Sequence, residues 1–446
     1  MRAFELFYEL YKIENLREVY SERIKNNSSP GLDRINRRIF ERELDKNLSI
    51  INSKVINGTY KFTKYKQKLI SKGEGKNPRV ISMPTIRDKI TLAVMKNILA
   101  QIYNNEVSYS VIHRIINLIV GTLQNENYNH YFKIDLSQFY DTINHQILLS
   151  KVKSKIRKKA FIQLIERAIK TPTVEESYSK GLKKTNGVGV PQGLSISNIL
   201  AGLYLSKFDK KHNNKIHYKY FRFVDDILIL CHKEDFIGLK KAIEQELERK
   251  YLLKINKDKT ESGIVQKKEI SYLGYLISKD QISVRPSSVK KLELSLEKLF
   301  KEYAIYKKLG KELFIWKLNI KITGLIKDSK KRGWTFFFSQ ITNERVLFHL
   351  DWLIKQYIKR FNLEEDFEEI KIKKYVRTFK EIKNNLHGTT YIPNLDNFTV
   401  DDKRAFIEKV LGLPTTFFSD EVIEEMFDKE TYKFIRELER DLQHFS

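Results

Sequence analysis

The sequence predicts an α+β protein, and three observations carry that prediction. Apolar residues recur at helical spacing through the first sixty positions and again over 84–125. Between about 130 and 280, short β-rich runs alternate with helical stretches. Beyond Pro286 the pattern turns helical and stays so to Ser446.

The elements follow in order. Phe4, Leu6, Phe7, Leu10 and Tyr11 form a 3.6-residue stripe, so residues 1–28 read as a helix, broken by NNSSPG at 26–31. A second helix covers 35–57 and closes at Asn57-Gly58. Residues 60–82 read as two short strands around the basic loop SKGEGKNP, 71–78. Ile90, Val94, Ile98 and Ile102 keep helical register through 84–125. A strand at 131–135 leads to a helix from about 143, and another helix covers 195–212. HYKYFRFVDDILILCHK, 216–232, reads as a hairpin with Asp225-Asp226 at its tip. A helix at 235–251 and strands near 252–256 and 270–277 come next. Val289, Leu292, Leu296 and Leu299 then open the helical region. No internal repeat is present, and the clearest architectural break falls near 280.

Composition bounds the classes of function. The chain of 446 residues calls for two to four subdomains, and 41% hydrophobic with 31% charged residues suits an ordered globular protein rather than a disordered polyelectrolyte. A net charge of +26 and a pI near 9.6 point to a polyanionic partner and salt-dependent binding. Richness in Lys, Ile, Asn and Tyr also follows from an A+T-rich genome, so the charge counts only beside motifs. Cys231 is the single cysteine, which excludes a disulfide framework or a cysteine-built zinc site within the chain. Glu5, Glu9 and Glu14 in the N-terminal stretch do not suit a signal peptide, and no apolar run reaches 18 residues. A cytoplasmic protein with no membrane partner is expected.

Chemistry enters with YFKIDLSQFYDTI. Tyr131, Lys133 and Asp135 alternate with Phe132 and Ile134, a strand that delivers a carboxylate near its end. Alone, such an aspartate is usually a turn or cap residue. In YFRFVDDILIL two adjacent aspartates are pressed on both sides by apolar β sequence. Like charges held there repel unless a cation lies between them. The two segments together suggest hard oxygen ligands for Mg²⁺. Two such ions could clamp the attacking and leaving oxygens of a displacement at phosphorus.

These segments resemble a known family, the reverse transcriptases. FKIDLSQFYDTI resembles the first palm motif, GVGVPQGLSISNILAGLYL at 187–205 the second, and FVDD at 223–226 the Y-x-D-D box, in that order along the chain. The resemblance covers about residues 30–360. It implies a right-hand polymerase: an N-terminal helix at 1–30, fingers at 31–125, a palm with an antiparallel sheet at 126–280, a helical thumb at 281–361, and an α-helical extension at 362–446. It implies an RNA-directed DNA polymerase that adds dNTPs to a primer 3′-hydroxyl with two Mg²⁺ ions (or Mn²⁺ as substitute) on Asp135, Asp225 and Asp226. Lys259, in LKINKDKTESG, is then the residue that protonates or neutralises the leaving pyrophosphate. The fingers segment KGEGKNPRVISMPTIRDKI supplies Lys76 and Arg79 to the triphosphate, where an Arg fork beside a Gly-containing loop suits phosphate oxygens.

By the same resemblance Leu136, Tyr140, Gln192 and Gly193 surround the nucleotide, with the Tyr140 ring excluding a 2′-hydroxyl. Ser197, Tyr272, Leu273 and Gly274 touch primer or template, with a helix-start role as the alternative for Ser197. SPGLDRI at 29–35 and VRPSSVKKL at 284–292 match the approach to the fingers and the start of the thumb. Phe223 departs from the usual tyrosine and Asn198 from a common proline. No HNH endonuclease or RNase H segment is apparent. The wording of the palm motifs is most similar to that of bacterial defence-associated, "unknown group" members. This implies a non-coding RNA template, a DNA product, and oligomer or partner contacts through 281–446.

Trp334, Phe336, Phe337 and Phe338 lie in a basic, helical stretch at 317–361 and read first as core, with stacking on bases as the alternative. An acidic run at Glu364, Glu365, Asp366, Glu368 and Glu369 precedes terminal amphipathic helices, with Ser419 and Glu421 at a helix start. Rival readings are an RNA-dependent RNA polymerase, a protein- or RNA-primed polymerase with little template instruction, and a catalytically silent RNA-binding scaffold.

Overall fold

A computed structural model describes residues 2–25, 29–71, 75, 77–107, 111–177, 185–213, 215–367 and 372–442. The chain folds as two compact units. The first takes residues 1–110 and 128–263, and the second takes 111–127 and 264–446. Among the described residues, no helix is long and apolar enough to cross a membrane.

The first unit is built on two helices that are apolar on nearly every face. Ile86–Ile102 buries ten residues and is capped by Thr85, whose hydroxyl accepts the Asp88 N–H at 3.1 Å. Ser197–His212 buries nine. A helix without a polar face belongs inside a domain. Asp88, itself buried, accepts from the Tyr60 hydroxyl at 2.7 Å and the Thr63 N–H at 3.1 Å.

The strands of this unit are β1 (Tyr65–Ile70), β2 (Arg79–Met83), β3 (His130–Ser137), β4 (Thr173–Val174), β5 (Tyr218–Phe223), β6 (Asp226–Cys231), β7 (Lys254–Ile255) and β8 (Glu261–Ile264). β1 pairs antiparallel with β2 and parallel with β4. The main sheet runs β5-β6-β3-β7, with β8 also on β3, and the β5–β6, β6–β3 and β3–β7 pairs are antiparallel. β6 is buried at all six positions, as its unbroken apolar run requires of a central strand.

Three expected helices are shorter than the periodicity suggested, each because a side chain takes a carbonyl. The first stretch divides into Ala3–Leu10, Ile13–Val19 and a π-turn at Tyr20–Ile24. At the first break, Asn52 donates to the Tyr11 carbonyl at 2.8 Å, while the Tyr11 hydroxyl reaches the Thr91 carbonyl. The second helix divides into Arg37–Arg42 and Leu44–Ile56, where Asn47 donates to the Phe40 carbonyl. The third divides at Tyr103, whose hydroxyl donates to the Val152 carbonyl, and resumes as Ile112–Asn125 in the second unit. Of the expected break at 26–31, residues 26–28 lie outside the described residues.

The second unit opens with β9 (Ile270–Tyr272), β10 (Tyr275–Ile277) and β11 (Ile282–Val284), a small antiparallel sheet where one strand at 270–277 was expected. Helices Pro286–Ala304, Lys311–Thr323 and Arg345–Arg360 follow. The stretch 317–361 is not helical throughout. β12 (Leu325–Lys327) and β13 (Lys330–Arg332) form a hairpin whose turn residues Asp328 and Ser329 are both left-handed. Gly324 and Gly333 close it back to back: a Cβ on Gly333 would meet the Gly324 Cα at 2.6 Å. Trp334, Phe336 and Phe338 are core, as first read, and Phe337 is half-buried.

The terminal helix Asp420–Leu442 packs Ile423, Phe427, Phe434, Ile435 and Leu438 onto Ile320 and Leu325. Lys321 crosses to Asp441 at 2.6 Å and to Ser295 at 2.7 Å, and both ions are nearly inaccessible. In the acidic run, Glu368 and Glu369 lie outside the described residues.

Candidate active site

β3 and β6 place the carboxylates. Their register sets Asp135 directly opposite Asp226. Phe223 pairs with Asp226 across the hairpin, so Val224 and Asp225 are its two turn residues. Val224 has a φ of 55°, a region that branched side chains avoid. What holds it there is Arg222, which donates to the Val224 carbonyl at 2.7 Å. Arg222 is itself gripped by Asp209 of helix Ser197–His212, which also accepts the Tyr220 hydroxyl at 2.7 Å. The Leu136 N–H donates to the Asp225 carbonyl at 3.3 Å and ties the turn to β3.

Burial pushes the Asp226 carboxyl up to about 6, and the charges of Asp225 and Asp135 push the same way, against Lys133. The Lys133 Nζ lies 3.6 Å from Asp226 Oδ1. Asp225 is raised by burial and by Asp135, while Arg79 and Lys259 draw it down. The Lys259 Nζ stands 3.8 Å from Asp135 Oδ2. Its loop is pinned to the same strand, since the Asn256 N–H donates to the Asp135 carbonyl at 2.9 Å and Lys259 N–H to the Asn256 carbonyl at 3.3 Å. Three carboxylates thus share one electrostatic neighbourhood with Lys133, Lys259 and Arg79.

Asp135 and Asp226 are buried oxygen donors that repel one another and Asp225, which suits a hard divalent cation. Among the described residues, no three His, Cys, Asp or Glu side chains converge to enclose an ion by themselves. Mg²⁺ does not require such a cage, because it commonly takes one or two carboxylates and completes its shell with water and phosphate.

Other sequence-selected residues lie in the same unit. The Tyr140 hydroxyl donates to Asn198 Oδ1 at 2.8 Å, and the Tyr140 carbonyl accepts the Val190 N–H at 2.8 Å. The Gln192 carbonyl accepts the Ser82 N–H at 2.7 Å, which fastens the Pro191-Gln192-Gly193 turn to β2. Gly193 has a φ of 100°, and a Cβ there would come within 2.6 Å of Ile81 Cγ2. Only glycine fits that approach.

The remaining sequence-selected residues take the following places. Ser197 is the first residue of its helix, and its buried hydroxyl donates to the Pro191 carbonyl at 2.7 Å, which braces the turn. The Leu136 side chain is core, so only its backbone is placed to meet a nucleotide. Tyr272 and Leu273 are also buried, in the second unit, where Leu273 and Gly274 form the left-handed turn between β9 and β10. The Gly274 carbonyl accepts the Arg285 N–H. Lys76 lies outside the described residues. Three contributors escaped the sequence reading. Lys133 could have been found, because it precedes Asp135 by two on a strand and so shares its face. Arg222 and Asp209 could not, since their pairing joins a strand to a helix.

Comparison with known proteins gives the following likenesses. Residues 70–277 match the family model described as reverse transcriptase (RNA-dependent DNA polymerase). The putative COX1/OXI3 intron 2 protein of Saccharomyces cerevisiae is 31% identical over 178 residues, 38% of this chain and 20% of that protein. Protein YkfC of Escherichia coli is 27% identical over 197 residues, 42% of this chain and 50% of that protein. The chain therefore spans a fifth and a half of the length of these relatives. Among solved structures, apo telomerase from Candida tropicalis aligns over 86% of this chain and 66% of that one, with 14% identity and a TM-score of 0.43.

Proposed function

We propose that this chain, which carries a reverse transcriptase domain over residues 70–277, is an RNA-directed DNA polymerase that extends a primer 3′-hydroxyl with dNTPs. The observation that carries the reading is the cross-strand pairing of Asp135 with Asp226, with Asp225 on the adjoining turn, within reach of Arg79 and Lys259.

Each group has work to do. Asp135, Asp225 and Asp226 are the residues that would hold two Mg²⁺ ions (or Mn²⁺), which supply charge neutralisation at phosphorus when bound. Arg79 offers a planar fork of donors to the triphosphate. Lys259 balances the charge of the departing pyrophosphate. Lys133 and Arg222 keep the strand ends in place without touching substrate. Gln192 and Gly193 bring backbone close to the incoming base, and the Tyr140 ring stands where a 2′-hydroxyl would lie. The template is RNA. A dedicated non-coding RNA and a role in bacterial defence are proposed on the likeness of PQGLSISNILAGLYL and FVDD alone.

The test is extension of a labelled primer on an RNA template with Mg²⁺ and dNTPs. Asp225→Ala with Asp226→Ala is expected to lower the rate by about a thousandfold or more, in the range of lost electrostatic stabilisation. Synthesis that continues unchanged in that variant would refute the assignment. Tyr140→Ala is expected to raise NTP incorporation relative to dNTP while leaving dNTP synthesis measurable; an unchanged ratio would remove Tyr140 from sugar selection.

A further inference from the structure

Helix Arg345–Arg360 of the second unit hides Leu347, Leu350, Ile354 and Tyr357 and shows the opposite face to solvent. That face is not the usual solvated mixture. Phe348 is 58% exposed and Trp352 is 53% exposed, one helical turn apart. Arg345, Lys355 and Lys359 are exposed on the same stripe, three residues before Phe348, three beyond Trp352 and one turn further. The Trp352 ring is preset: it stacks on His349 at 5.9 Å and 30°, and His349 is anchored to Glu293 at 2.7 Å. Two nearby carboxylates are already engaged. Glu293 holds His349, and Asp351 accepts the Tyr375 and Val376 N–H groups.

We propose that this stripe of the second unit is a binding platform for unpaired nucleic acid. Two exposed rings bordered by three cations, with Glu344 one turn before Phe348, complement a flexible polyanion with aromatic bases. Their Cα atoms lie about 6 Å apart along the helix axis. In a duplex each base is covered on both faces by its neighbours, so rings standing off a helix find nothing to stack on. An unpaired strand presents those faces. Lys355, Lys359 and Arg345 would lie along its phosphates without reading sequence.

The full chain is titrated with labelled oligo-dT and, separately, with a blunt duplex, without dNTPs or divalent ions, so that the outcome does not depend on polymerase activity. Trp352→Ala with Phe348→Ala is expected to weaken oligo-dT binding by about tenfold or more. Trp352→Phe restores most of it, since a ring remains. Duplex affinity stays within a factor of about two. Lys355→Gln with Lys359→Gln lowers the slope of log affinity against log salt by about 1.4, at about 0.7 per lost phosphate contact on a single strand. Quenching of solvent-exposed tryptophan emission by oligo-dT should vanish in Trp352→Phe. Unchanged oligo-dT affinity in the double alanine variant, or an equal loss for the duplex, overturns the proposal. So does a change of oligomeric state in that variant, which would make the stripe a protein interface.

Discussion

At the scale of single residues, Asp226 is a buried carboxyl held far from its ordinary titration range. Its carboxyl titrates near 6 in the fold, chiefly because it is buried, against an ordinary value near 4. The folded state then binds the proton more tightly than the unfolded chain does. Its contribution to stability is present in full below about pH 4 and is lost as the pH rises through about 6. Above that range the ionised, buried carboxylate costs about 3 kcal/mol at most, partly offset by Lys133 at 3.6 Å. Asp226→Asn is therefore expected to melt a few degrees above the native protein at pH 8, with the gap closing toward pH 4. Calorimetry across that range checks it, and a gap that widens on acidification would contradict the sign. The same burial that makes Asp226 costly makes it effective: a carboxylate poorly solvated by water has most to gain from a cation.

At the scale of elements, the turn that carries Gly193 is a test of packing against chemistry. Its backbone is fastened to β2 through Ser82, and no Cβ can be added without moving Ile81. Gly193→Ala is expected to destabilise the first unit by about 2 kcal/mol from left-handed strain and overlap together. The loss reads out as a lowered midpoint in urea, and an unchanged midpoint would show that β2 gives way.

This scale is also where the sequence was and was not legible. β3, the hairpin around Asp225-Asp226 and helix Ser197–His212 were visible, because a period of two or 3.6 survives wherever one partner is a continuous core. The breaks at Tyr11, Glu43 and Tyr103 were not, since the contacts made there, such as Asn52 to the Tyr11 carbonyl and the Tyr103 hydroxyl to the Val152 carbonyl, leave no periodic trace. The hairpin at 325–332 was hidden because three-residue strands carry too little pattern to outvote helical neighbours. At the site, the three aspartates were readable as motif. The pairing of Arg222 with Asp209 that positions them was not, because ion pairs across elements leave no periodic trace.

At the scale of the molecule, two units with separate cores should respond separately to damage. Lys321 and Asp441 are a buried pair joined by Ser295 deep in the second unit. Lys321→Met strands a buried carboxylate, and the expected cost is about 3–5 kcal/mol, confined to the transition of that unit. Adding Asp441→Leu should recover most of the loss. Thermal unfolding followed by two probes, one per unit, would contradict this if both transitions moved together.

The path of the chain between the units has a consequence for biosynthesis. Helix Ile112–Asn125 interrupts the first unit in sequence yet folds with the second, where His113 meets the Phe337 carbonyl at 2.7 Å. A ribosome releases that helix, with Ile115, Ile116, Ile119 and Leu123 on its apolar side, well before the partners it covers exist. The nascent chain must carry a bare hydrophobic ridge through the synthesis of the whole remaining catalytic unit. Vectorial folding from the N-terminus cannot finish the molecule, and any truncation after residue 263 would leave that ridge uncovered for good.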